Sequence, residues 1–170
     1  MSVVLVTGAS RGIGRAIVAR FVREGCNVIA CARGEAGLAE LKADFPNVDG
    51  IACDMRDGAA VDALACEVQA RHGAVDLLVN NAGAYRPGQI ASEDDDALLD
   101  MLQANLFGAY RLTRRVLPAM MARHWADGCK PKWCVGPKSA KPLASGLRSS
   151  VDRRNYDYIS EQAEQLMLST

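Results

Sequence analysis

No net charge marks this chain, because 20 lysines and arginines balance 20 aspartates and glutamates over 170 residues. A global basic field for nucleic acid or an anionic membrane is therefore missing. Aromatic residues make up only 5% of the sequence, which points the same way. No apolar run approaches the roughly 18 to 20 residues that span a bilayer. The amino terminus enters a strand-like run at Val3 without the basic, hydrophobic and cleavage regions of a signal peptide. The expected partner is a small molecule and the expected compartment the cytoplasm. Histidines number only two, and His124 lies upstream of Cys129 and Cys134, the wrong order for zinc spacing, so no metal site is expected. The other four cysteines, Cys26, Cys31, Cys53 and Cys66, are scattered through regular elements and read as buried free thiols.

What the chain does have begins at Val3, where an apolar run breaks into Gly8, Gly12 and Gly14 and then into a helical pattern. A backbone that turns sharply, approaches an anion without a Cβ in the way and packs a helix closely on a strand needs glycine at such points. The helix N-terminus then offers unpaired N–H groups to a phosphate. Apolar periodicity predicts helices over 15–24, 35–44 and 57–72, with Gly25 and Gly73 as stops and Asp57 as an N-cap. Strand-like runs cover 27–32, 48–53 and 75–80, and a long helix begins near Ser92 or Asp95 and continues through Met120, with Pro118 as a possible kink. The alternation predicts an α/β fold, a Rossmann-like doubly wound parallel sheet. Its length suits one such domain over residues 1–125.

Beyond Trp125 the composition changes. Four of the five lysines, Lys130, Lys132, Lys138 and Lys141, lie there, with Pro131, Pro137 and Pro142. Residues 126–170 therefore read as a divergent basic tail, loop-rich with one short helix over 156–168.

The run Thr7-Gly8-Ala9-Ser10-Arg11-Gly12-Ile13-Gly14, then Asp54, then Asn80-Asn81-Ala82-Gly83, resembles the short-chain dehydrogenase/reductase family in its classical form over about residues 2–123. The resemblance implies a nicotinamide dinucleotide lined by Gly8, Gly12 and Gly14 with Ser10, Arg11 and Ile13. It implies Asp54 and Met55 at the adenine, and Asn81, Ala82 and Gly83 between the central sheet and the adenine ribose. It assigns Asn105 a catalytic part, holding a water through its backbone carbonyl. Family members that prefer NAD(H) carry a carboxylate at the end of the second strand; this chain has Ala32-Arg33. Arg33 with Arg11 suits a 2′-phosphate, so NADP(H) is expected over NAD(H).

Enzymes of the family use a serine and, about a dozen residues later, Tyr-x-x-x-Lys, in which tyrosine moves the proton, lysine lowers its pKa and serine polarises the carbonyl. Here Tyr156 is followed by Ser160 and Tyr158 by Gln162. Ser145, thirteen residues before Tyr158, imitates the spacing without a strand to place it. A tyrosine near its ordinary pKa of about 10 is a poor acid or base at neutral pH. The family's fifth strand, its Tyr/Lys helix and later strands have no counterpart, so the sheet is expected to be incomplete on its C-terminal side, with the fourth strand an open edge unless the tail covers it.

Three readings stay open. One is an NADP(H)-dependent oxidoreductase interconverting a carbonyl and an alcohol, impaired or altered after Trp125 as a frameshift or splice variant would make it. Another is a non-catalytic NADP(H)-binding module, and the last a truncated inactive product. Family dimers pack through the long helix and the absent one, which leaves the oligomeric state undecided.

Overall fold

Runs as apolar as those at 3–7 and 27–32 have no polar face to offer water, so strands made from them sit inside a sheet covered on both sides. A computed structural model describes residues 2–89, 91, 94–126 and 132–134. Its elements are β1 (Val3–Thr7), α1 (Gly12–Arg23), β2 (Asn27–Ala32), α2 (Glu35–Asp44), β3 (Asp49–Ala52), α3 (Gly58–His72), β4 (Leu77–Val79), α4 (Asp95–Leu102), α5 (Gly108–Ala126) and β5 (Lys132–Cys134). The strand order is β3-β2-β1-β4-β5, with every pairing parallel. From β1 the chain builds outward to β2 and β3 on one side, then crosses back to place β4 on the other. The crevice between β1 and β4 at their carboxyl ends is the switch point where doubly wound sheets take ligands.

Alternation along the strands divides the core. Leu5, Ile29, Cys31 and Ile51 face Val61, Leu64 and Val68 of α3 and Leu112, Val116 and Met120 of α5. Val4, Val6, Val28 and Ala30 face Val18 of α1 and Leu38 and Leu41 of α2. Asp62 braces the first layer: it accepts from Arg111 at 3.0 and 3.2 Å and from Arg115 at 2.9 and 2.8 Å, tying α3 to α5.

The doubly wound parallel sheet is thus the fold, and the departures from expectation are local. α1 starts a turn earlier than the apolar stripe indicated, at Gly12, because its first turn belongs to the glycine run. The strands expected over 48–53 and 75–80 are shorter, since Val48 and Val75 are buried just outside the hydrogen-bonded ladders. The long helix is interrupted by a π-helical turn, Gln103–Phe107, between α4 and α5. Pro118 sits inside α5 without ending it, at the cost of one backbone donor. Lys132–Cys134, expected as loop, is a strand, because β4 offers it a parallel partner with Leu77, Leu78 and Val79 in register with Lys132, Trp133 and Cys134. The edge of β4 is covered there. The helix expected over 156–168 lies outside the described residues.

Candidate functional site

β1 ends in Thr7, and the turn that follows is held by side chains arriving from β4. The buried Thr7 hydroxyl accepts the N–H groups of Asn81 and Ala82 at 3.1 and 3.0 Å and donates to the Val79 carbonyl at 3.3 Å. The Asn81 amide donates to the carbonyls of Thr7 and Gly8 at 3.1 and 3.2 Å. Asn81 is therefore a clamp on the glycine turn. Asn80 points elsewhere, donating to Thr113 of α5 at 3.0 Å.

The close approaches explain two of the three glycines. Gly8 has φ +66°, and a Cβ there would lie 2.8 Å from the Ala82 Cα. A Cβ on Gly14 would overlap the Gly8 carbonyl oxygen and come within 2.6 Å of the Asn81 amide nitrogen. Helix α1 can thus press directly against the turn. Its N-cap is Arg11, whose side chain makes no capping hydrogen bond, and no acidic residue occupies its first turn. The first N–H groups of α1 are left open toward the crevice.

The crevice is a cleft of about 900 Å³. It gathers Gly8, Ser10, Arg11, Gly12, Ile13 and Gly14 from the turn, Arg33 from the end of β2, Asp54 and Met55 after β3, and Asn81, Ala82 and Gly83 after β4. Every residue expected to line a dinucleotide is therefore at one site. Arg11 and Arg33 are exposed there and enter no ion pair among the described residues. Met55 is largely buried in the core and shows only part of itself to the cleft.

Asp54 is less free than its motif indicated. Arg56, two residues on, donates to both carboxylate oxygens, with Nε at 3.0 and 3.1 Å and an outer nitrogen at 2.6 Å, and the Arg56 N–H adds a bond at 3.0 Å. These bonds, with Arg33 further off, hold the Asp54 carboxyl below its ordinary range against the opposing effect of burial. Arg56 also reaches Asp100 of α4 at 3.4 Å. The sequence reading missed Arg56 and Thr7. An arginine two residues after a strand-end aspartate was a visible signal for the first, whereas Thr7 becomes informative only once β4 is its neighbour.

Asn105 lies in the π-helical turn. Its side chain accepts the Ala84 N–H at 2.7 Å and donates to the Ala84 carbonyl at 2.8 Å, so it fastens the segment after β4 to the turn between α4 and α5. Ser145 and Tyr158 lie outside the described residues. Among the described residues, no cluster of three or more His, Cys, Asp or Glu side chains is placed for a metal, and no helix is long and apolar enough to cross a membrane.

The family model for short chain dehydrogenases matches residues 2–127. The chain is 38% identical over 123 residues to the 3-oxoacyl-acyl-carrier-protein reductase of Salmonella typhimurium, a match over 71% of this chain and 50% of that protein. It is 38% identical over 117 residues to the L-fucose dehydrogenase of Mus musculus, covering 68% of this chain and 43% of that one. Among solved structures, a short-chain dehydrogenase from Streptomyces avermitilis superposes with a TM-score of 0.69 at 43% identity, over 72% of this chain and 45% of that one. The L-sorbose reductase of Gluconobacter frateurii, solved with NADPH and L-sorbose, superposes with a TM-score of 0.65 at 33% identity, over 72% and 48%. The chain spans about half the length of the curated relatives it matches. By its glycine turn, its parallel sheet and these matches, the chain belongs to the short-chain dehydrogenase family.

Proposed function

We propose that the chain binds NADP(H) in the cleft at the carboxyl end of its sheet, and that it belongs to a carbonyl–alcohol oxidoreductase whose turnover is impaired here. The observation that carries this is the glycine turn, closed against Asn81 and Ala82 so that no Cβ fits at Gly8 or Gly14, beside two arginines that enter no ion pair among the described residues and with no carboxylate at the end of β2. The turn and the open N-terminus of α1 suit a pyrophosphate. Arg11 and Arg33 suit a 2′-phosphate, which a carboxylate at the end of β2 would repel. That L-sorbose reductase was solved with NADPH supports the same cofactor. When bound, the nicotinamide would supply the hydride.

Impairment follows from the proton. No tyrosine of this sequence has a lysine four residues on, so the family's Tyr-x-x-x-Lys pair has no match in it. Loss of a positioned acid costs about 10²- to 10⁴-fold in rate. Ser145 and Tyr158 are candidates only by spacing, and Asn105 is proposed as a positioning group through its hold on Ala84. The same absence favours a binding-only module as the second reading. The cytoplasm is the proposed compartment, and residues 126–170 are proposed as a divergent basic tail to the 1–125 domain, to whose sheet it lends β5.

Titration of the purified chain with NADPH, followed by nicotinamide fluorescence and paired with a carbonyl-reduction assay, tests the proposal. Saturable binding with slow reduction that Tyr158→Phe leaves unchanged is expected. Absence of binding contradicts the cofactor reading, and turnover abolished by Tyr158→Phe contradicts the impairment. Binding with no detectable reduction selects the binding-only module.

A further inference from the structure

A second cleft, of about 500 Å³, opens between the start of α3 and the first turns of α5, and the proposed reaction does not use it. Two glycines allow the close approach that shapes it. A Cβ on Gly108 would overlap the Met55 carbonyl oxygen, and one on Gly58 would overlap Nη1 of Arg111. The first turn of α5 is therefore pressed against the loop before α3, and Arg111 lies across the first residue of that helix. Phe107, Tyr110, Arg111, Arg114 and Arg115 recur at helical spacing and line the cleft together with Arg56 from the loop. Four lining residues are thus arginines, and none is an aspartate or glutamate. Asp62, behind them, is one carboxylate shared by two guanidiniums: Arg111 and Arg115 each give it Nε and Nη2, and neither Nη1 is spent on it. Arg114 is exposed and enters no ion pair among the described residues. Phe107 and Tyr110 are 50% and 57% exposed, so bare ring surface stands beside excess positive charge. Arg56 lines this cleft and the dinucleotide cleft alike, holding Asp54 with Nε and Nη2 and reaching Asp100 with Nη1 at only 3.4 Å.

We propose that the cleft between α3 and α5 is a second anion site, taking a small phosphate ester with a flat apolar group, and that filling it weakens dinucleotide binding through Arg56. Guanidinium forks match phosphate oxygens, and Arg114 with the Nη1 groups of Arg111 and Arg115 supplies the donors. The phosphate balances the positive charge that the single Asp62 carboxylate leaves over. Phe107 and Tyr110 cover the apolar group, which gives an ester its advantage over inorganic phosphate. Asp57 already caps α3, so guanidiniums rather than helix N–H groups carry the recognition. An anion here draws Arg56 toward it, and the long bond from Nη1 to Asp100 is the first to yield. The dinucleotide cleft then has a weaker hold on a cation and faces a new anion, and both changes disfavour a second polyanion. By linkage the loss is reciprocal, so a bound dinucleotide weakens the phosphate ester by the same factor.

The anion site rests on its own residues, and its coupling to the first cleft rests on the cofactor reading. The unaltered chain and Arg114→Glu are titrated with phenyl phosphate and with inorganic phosphate. Proton–nitrogen NMR follows the titrations, so that amides of 107–115 report on the second cleft and those of 8–14 on the first. Arg114 is the residue to change because, unlike Arg111 and Arg115, it does not tie α5 to Asp62 of α3. Saturable shifts in 107–115 are expected, with phenyl phosphate bound about fivefold more tightly than inorganic phosphate. Arg114→Glu is expected to weaken the ester about 10-fold or more. Absence of saturable shifts in 107–115, or the same affinity in Arg114→Glu, overturns the site. Equal affinities for the two phosphates overturn the apolar part of the ligand. NADPH is then titrated by nicotinamide fluorescence with and without phenyl phosphate at the concentration that saturates the unaltered chain. Its affinity is expected to fall about fivefold or more in the unaltered chain and to change less than about twofold in Arg114→Glu. No fall in the unaltered chain overturns the coupling, and so does an equal fall in the variant, which marks direct competition in the first cleft. Failure of NADPH to bind at all counts against the cofactor reading and takes the coupling with it, while the amide shifts still decide the anion site.

Discussion

At the amino end of the sheet the carboxylates beside the strands are engaged with the protein itself, whereas at the carboxyl end two arginines and two helix N-termini are left open. Asp76, just before β4, accepts the Val3 N–H at 2.7 Å and pairs with Arg123 of α5 at 3.3 Å. Asp49 opens β3 and accepts from His72 at 2.8 Å and from Arg71 at 3.2 Å, while Asn27 donates to the other nitrogen of the His72 ring at 3.3 Å. At the other end, α1 and α2 begin on Arg11 and Gly34 with no side-chain cap. The helices further from the glycine turn differ: Asp57 caps α3 and Asp94 caps α4. Polar groups satisfied within the chain hold the sheet together, and those left unsatisfied beside the glycine turn are the ones proposed to meet the phosphates of the dinucleotide.

The largest break in this contrast comes from Gly14→Ala, because the new methyl overlaps the Gly8 carbonyl and pushes α1 off the turn. Urea denaturation should show a loss of about 3 kcal/mol, and NADPH binding should disappear with it. Arg33→Ala acts only on the open end. Loss of a charge-assisted bond to a phosphate, about 1.5 to 3 kcal/mol, weakens NADPH binding about 10- to 100-fold and leaves NADH within about threefold.

Asp49→Asn breaks the satisfied end. Burial raises the Asp49 pKa, but the bonds from His72 and Arg71 more than offset it, and the folded value lies below the ordinary one. A depressed carboxylate pKa contributes stability that is present above the unfolded value of about 4 and is lost as pH falls through the folded value. The variant should therefore lose about 1.5 kcal/mol at neutral pH and show a flatter acid limb below about pH 4 in denaturation midpoints. Asp57→Ala sharpens the comparison most finely. The side chain accepts from Ala59 and Ala60 at 2.8 and 3.3 Å, so its removal costs about 0.5 to 1 kcal/mol. NADPH affinity should stay unchanged, because this N-terminus is closed by its own cap.

The open end was the more legible of the two. Gly8, Gly12, Gly14, Arg33, Asp54 and Asn81 to Gly83 carry local signals: glycines after an apolar run, and charges or amides at strand ends. The parallel sheet was legible for the same reason, since continuous apolar strands alternating with glycine-stopped helices admit few architectures. The satisfied end was silent, because Asp76 meets Val3 across 73 residues of sequence and Asp49 meets His72 across 23. Such pairs exist only after the strands are ordered. Lys132–Cys134 was hidden in the same way: three residues within a proline- and lysine-rich stretch carry no period of their own, and β4 supplies their ladder. The π-helical turn was missed because the apolar stripe of 95–120 continues on both sides of it, while Asn105, its informative residue, is read only against Ala84.

Arg11 and Arg33 are proposed to make the carboxyl end a site for a dinucleotide with a 2′-phosphate. Parallel fluorescence titrations with NADPH and NADH, on the chain and on Arg33→Ala, test it most directly. NADPH should bind the unaltered chain about 10-fold or more tightly than NADH, and the variant should lose most of that difference. Equal affinities in the unaltered chain, or a preference for NADPH that survives Arg33→Ala intact, would contradict it.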